Sequence, residues 1–210
     1  MNVTRCGVPV LLLLMLTSCR SPDKPAPSPA TTASPADAPP TERVVGPLSP
    51  ADAAALATMN DRLRAYIDLH TKLERSLPAL PNDATPQQID KNQRQLEGLV
   101  RSARAGAKLG DIFTPEARPV IKRLLAAVFG GPDGKQLKAS IMDENPVGIT
   151  LTVNGRYPDT VPLSSVPPQV LQTLPKLSED MEYHFIGDRL ILLDTHAHLI
   201  ADYIDGALPE

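Results

Sequence analysis

The apolar pattern of this chain changes period at Pro146, and that change limits the possible folds more than any other feature. Upstream, Leu56, Met59, Leu63, Tyr66, His70, Leu73 and Leu77 recur in a 4-3 alternation. That spacing draws one stripe along a helix, the seam of a helix packed lengthwise on a neighbour. Downstream, Ile149, Leu151 and Val153 alternate with Thr150, Thr152 and Asn154, which is the period of a strand. Helices first and strands afterwards predict an α+β domain, helical over 49–145 and a small C-terminal antiparallel β-meander over 146–210. About 160 residues are enough for one real core.

The helix boundaries are readable from capping chemistry. Ser49-Pro50 supplies an N-cap and a proline at the first helical position, so a helix is expected over 50–77, stopped by Pro78 and Pro81. Thr85-Pro86 with Gln88 has the form of a capping box. Ile89, Leu96, Leu99, Val100, Ala103 and Ala107 carry that second helix toward Gly110. The short link predicts an antiparallel helical hairpin. A third helix is expected after Thr114-Pro115, running to Phe129 with Pro119 delaying its regular part, and a fourth over 135–142. Strands are expected over 149–153, 183–186 and 190–193, with Gly187-Asp188 as a tight hairpin turn; 199–204 reads as a further strand in preference to a short terminal helix. The segment 158–168 reads as turn, and 169–173 as a single helical turn.

Residues 19–48 are different material. Nine prolines lie between Ser21 and Pro50, among Ala, Ser and Thr. Such a stretch buries too little apolar area to offset its ordering entropy. It reads as a disordered, polyproline-biased tether, at most ~95 Å long at ~3.1 Å per residue.

The segment 1–18 reads as an address. Arg5 precedes an apolar run from Val8 to Leu16, interrupted only by Pro9. The run has signal-peptide length and is too short for a spanning helix. It ends in Leu16-Thr17-Ser18-Cys19, which resembles the lipobox of bacterial lipoproteins. The resemblance implies cleavage after Ser18, diacylglyceryl transfer to Cys19 and acylation (palmitate-type chains) of its new amine, a firm membrane anchor. Arg20 follows the cysteine rather than aspartate, which resembles the outer-membrane lipoproteins that face the periplasm. Cys6 leaves with the signal peptide and Cys19 is alkylated, so thiol catalysis, disulfides and cysteine-ligated metals are excluded on this reading.

Charge and aromatic content exclude one partner class. The net charge is −3, with three Phe, four Tyr and no Trp, which argues against nucleic-acid binding. Charge is uneven along the folded part: residues 51–130 hold 12 Lys/Arg against 9 Asp/Glu, and 131–210 hold 5 against 12.

Candidate chemistry is sparse. His184, Asp194, His196 and His198, with Asp202 nearby, form the best constellation. Imidazoles two apart on a strand face the same way, and with a carboxylate they suit a divalent cation such as zinc or nickel. Solvated turn residues are the plainer reading. Arg94, Arg101, Arg104 and Lys108 make a basic stripe on the second helix, interrupted by Glu97. It suits an anionic lipid or glycan, or simply a solvated face and helix-dipole complement. His70 on the first helix reads as a core-edge histidine, and Asp111 has no evident partner. Gly130-Gly131-Pro132-Asp133-Gly134-Lys135 lacks the Ser/Thr and the preceding strand of a phosphate loop. No hydrolase nucleophile motif is present.

From Tyr66 to Leu208 the chain resembles an uncharacterised family of bacterial secreted proteins and lipoproteins. The segments that carry the likeness are His70-Thr71-Lys72-Leu73-Glu74, Gly110-Asp111-Ile112-Phe113, Val153-Asn154-Gly155-Arg156-Tyr157-Pro158, Leu174-Pro175-Lys176-Leu177, and the blocks 181–194 and 199–204. The resemblance implies no activity, cofactor or catalytic residue. The reading is a lipid-anchored envelope protein, a non-catalytic accessory module with a protein partner and no cofactor. The alternative is a metal-binding protein or metal-dependent hydrolase built on the C-terminal His/Asp cluster.

Overall fold

The computed structural model describes residues 48–143, 145–146 and 148–209. The expected signal peptide, Cys19 and all of the tether but Leu48 lie outside the described residues. The fold is α+β: α1 Pro50–Glu74, α2 Pro86–Ala103, α3 Ala117–Phe129, α4 Gly134–Asp143, α5 Pro168–Leu171, then β1 Met181–Ile186, β2 Arg189–Asp194 and β3 Leu199–Ile204. No helix among them is long and apolar enough to cross a membrane.

The caps form as their chemistry dictates. Ser49 Oγ accepts from the Asp52 amide at 3.1 Å. Thr85 and Gln88 close a reciprocal capping box, with Gln88 Oε1 accepting from the Thr85 amide at 2.7 Å. The helix ends differ from expectation. α1 stops at Glu74, and Ser76 and Leu77 donate to Leu73 and Glu74 in a tighter turn, because Pro78 has no N–H to continue the ladder and disfavours helical geometry at Leu77. α2 ends at Ala103, short of Gly110. The Arg104 carbonyl there accepts from Asn154 Nδ2 at 2.6 Å, a side-chain cap from a distant loop. α3 starts at Ala117, after Pro115 and before Pro119. α1 lies against α3 as well as α2.

The sheet is an antiparallel meander in the order β1-β2-β3. Leu190, Ile191, Leu192 and Leu193 in β2 are all buried, because both faces of this central strand are covered. Leu190 and Leu192 join Tyr183, Phe185, Leu199 and Ala201 in the main core with Met59, Leu63, Leu96, Leu125 and Phe129. Ile191 and Leu193 face the other way, into a smaller cluster with Ile186, Ile200, Leu151 and Tyr157.

The strand expected over 149–153 does not form. Asn154, at φ 59°, and Gly155 close a turn on Thr152. The chain then runs irregularly beside β3, where Asn154 and Tyr157 donate to Ile200 and His198, and Ile200 donates to Gly155. Leu151 is nonetheless buried. The apolar side chains reach their place without strand backbone.

Candidate functional site

The polar centre of the described residues is Asp194, at the last position of β2. It shares the helix-facing side of the sheet with Leu190 and Leu192, by the two-residue period. It is fully buried, at 0% exposure. One oxygen, Oδ2, accepts from Tyr66 Oη at 2.6 Å and lies 2.7 Å from His70 Nδ1. The other, Oδ1, accepts from the Ala197 amide at 2.7 Å. Tyr66 and His70 are four apart on α1, so one helix face presents both.

This arrangement shifts the titration of both α1 side chains. Burial first, then the charge of Asp194, raises the Tyr66 phenol far above its ordinary range, so it remains a donor. Burial alone would lower the His70 imidazole; the hydrogen bond and charge of Asp194, joined by Asp180 and Glu74, outweigh it and hold His70 above its ordinary value. With Nδ1 held on Asp194, His70 Nε2 is buried and makes no hydrogen bond. Such an orphan is costly unless something satisfies it.

Around His70 stand two more donors. The His196 ring centroid is 5.7 Å from that of His70. One ligand atom from each of His70, Asp180 and His196 lies within 4.8 Å of the others. His196 Nδ1 is 3.2 Å from Glu74 Oε1. A cleft of about 490 Å³ opens beside His196, walled by Glu74, Leu77, Leu80 and Asn92. The Asp180 backbone is tied to the same turn: its carbonyl accepts from the Thr195 amide at 2.9 Å and the Thr195 hydroxyl at 3.1 Å.

The sheet divides the four residues singled out from sequence. Asp194 and His196 meet the helical side. His184 pairs with Ile191 across the ladder, a residue of the opposite cluster, and it bonds Ser164 O and Glu182 Oε2. His198 takes a left-handed φ of 55°, turning its ring edge-on to Tyr157 at 5.9 Å and toward Asp159. The i, i+2 argument for His196 and His198 fails because both sit in a turn. His70 and Asp180 take their places near His196. The one sequence signal for His70 was a histidine in an otherwise apolar seam.

Asp202 is a second buried hub, also at 0% exposure. It accepts from the amides of Gly110, Ile112, Phe113 and Tyr203 at 2.8–3.2 Å. It clamps the α2–α3 loop to β3. Asp111, in that loop, accepts from the Lys108 amide at 2.9 Å.

The basic stripe is broken up. Arg94 pairs with Asp90 at 3.1 Å and Arg101 with Glu97 at 3.0 Å. Arg104 donates to Asn154 and the Ala201 carbonyl and lies 4.8 Å over the Tyr66 ring. Lys108 falls beyond the end of α2. A cleft of about 590 Å³ beside the edge strand β1 is lined by Leu163, Val166, Leu171, Leu177, Tyr183 and His184, among others. Compared with models of known protein families, with curated proteins and with solved structures, the chain matches none.

Proposed function

We propose that the protein is a lipid-anchored component of the bacterial cell envelope, held at the outer membrane and facing the periplasm. Its globule serves as a non-catalytic binding module for another envelope component. The observation that carries the reading is Leu16-Thr17-Ser18-Cys19 at the end of a short apolar run, followed by a proline-rich stretch that ends where α1 is capped. The anchor holds the globule at the surface, and a tether of this composition gives it reach.

The described residues support a binding role over a chemical one. The carboxylates of Asp194 and Asp202 are buried and committed to cross-fold bonds, as Arg104 is. Asp194 ties α1 to the end of β2, and Asp202 and Arg104 tie the 110–113 loop and the end of α2 to β3.

Metabolic labelling with palmitate and fractionation of Cys19→Ser test the anchor. Labelling of the wild type, and release of the serine variant into the soluble periplasmic fraction, are expected. Unlabelled wild type, or unchanged fractionation of the variant, overturns the reading. For the binding role, photocrosslinking from Leu171 in intact cells is expected to give one discrete adduct with an envelope protein. A protein that yields none from any exposed position is not a docking module.

A further inference from the structure

Beside the buried, unpartnered Nε2 of His70, Asp180 and His196 each bring a potential ligand atom. We propose that His70, Asp180 and His196 form a binding site for one borderline divalent cation of the zinc class, open to the cleft beside His196.

Three features carry this. The first is the orphan: His70 is 2% exposed, and its Nε2 is buried without a hydrogen-bond partner. The second is convergence, with one ligand atom each from His70, Asp180 and His196 mutually within 4.8 Å. Ligands of a tetrahedral zinc ion stand about 3.4 Å apart, given bonds near 2.0–2.1 Å. His196 and Asp180 are partly exposed side chains able to close that difference. The third is the outer layer. His70 Nδ1 is held by Asp194 at 2.7 Å, and His196 Nδ1 faces Glu74 at 3.2 Å. A carboxylate behind each ligating imidazole fixes the ring and tautomer and leaves Nε2 for the ion. Tyr66 donates to the same Asp194 oxygen and holds that carboxylate in turn.

The donor set decides the ion class. Two imidazoles and one carboxylate suit zinc and its neighbours, whereas magnesium and calcium require oxygen ligands. Asp180, Glu74 and Asp194 make the surroundings anionic. Three protein ligands leave a fourth position for water or an incoming group, and His196 brings the site to the edge of the cleft it lines with Glu74, Leu77 and Leu80. The site goes beyond the anchored-module reading and does not depend on Cys19.

The test is calorimetric titration of the full, tag-free chain in detergent with Zn²⁺, with Mg²⁺ as competitor. One Zn²⁺ per chain is expected, undisturbed by Mg²⁺. His70→Ala removes a buried group and puts folding at risk, so the informative variants are His196→Ala and Asp180→Asn, with far-UV circular dichroism as the folding control. Each is expected to weaken Zn²⁺ binding roughly 100-fold or more. His184→Ala and His198→Ala, which remove imidazoles on the other side of the sheet, are expected to leave it unchanged. Absence of saturable one-to-one uptake overturns the proposal, as does an equal loss on His184→Ala or His198→Ala.

Discussion

His70 on α1 and Asp194 at the end of β2 stand 124 positions apart in the chain and 2.7 Å apart in the fold. The contact ties the first helix to the central strand through a fully buried carboxylate. Removing one partner of such a buried pair leaves the other uncompensated, at a cost of about 3–5 kcal/mol. Asp194→Ala is therefore expected to lower unfolding free energy by about that amount in urea. Tyr66→Phe removes one hydrogen bond to the same charge and is expected to cost about 1.5–3 kcal/mol. Both losses should shrink together in the double variant, because the two residues share one oxygen.

Asp202 makes a different connection, and hydrogen exchange reads it directly. Its carboxylate receives the Gly110, Ile112 and Phe113 amides. Asp202→Asn turns an NH₂ donor or a single neutral oxygen toward that cluster of N–H donors. A loss of about 2–3 kcal/mol is expected. Faster exchange should be concentrated at those three amides, with α1 amides hastened only through global unfolding. Uniform acceleration across the domain would contradict a local clamp.

Much of this architecture was legible in the sequence, and the residues show which part. Ser49 and the Thr85/Gln88 pair announce helix starts because capping is a local interaction within four residues. The run Leu190–Leu193 announces a strand, and the structure explains its unbroken hydrophobicity by burial on both faces. The alternation at 149–153 gave the right buried residue, Leu151, and the wrong backbone. A turn at Asn154 and the edge of β3 determine that segment, and neither leaves a periodic trace. The site was half legible. Asp194 and His196 stand in it, but His184 and His198 face away through strand parity and one left-handed residue. His70 and Asp180 enter through contacts across the fold, to which sequence spacing is blind.

Two glycines make opposite predictions. A Cβ on Gly134 would stand 1.7 Å from the Phe129 carbonyl oxygen, backbone that cannot swing aside. Gly134→Ala must shift the α3–α4 junction, at an expected cost of about 1–3 kcal/mol. Gly98 lies inside α2, and a Cβ there meets nothing within 4 Å. Gly98→Ala is expected to stabilise by about 0.5–1 kcal/mol through the smaller entropy of the unfolded chain. Thermal melts of the two variants, moving in opposite directions from the wild type, check the pair.

Asp52 and Arg123 supply an acid-sensitive contact between α1 and α3. Arg123 donates to Asp52 at 2.6 Å. That bond first, and the one from Ser49 next, hold the Asp52 carboxyl below its ordinary value of 3.8. A carboxyl lowered on folding adds stability that is present above the unfolded value and lost as pH falls through the folded one. The stability increment from this pair should therefore be full at neutral pH, begin to decline near 3.8, and be gone below the folded midpoint. Arg123→Ala is expected to raise the Asp52 midpoint in a carboxyl-detected NMR titration and to flatten that part of the acid limb. The pair is solvent-exposed, so the effect on stability is small and should fade with added salt. An Asp52 midpoint unmoved by Arg123→Ala would assign the lowering to the Ser49 cap instead.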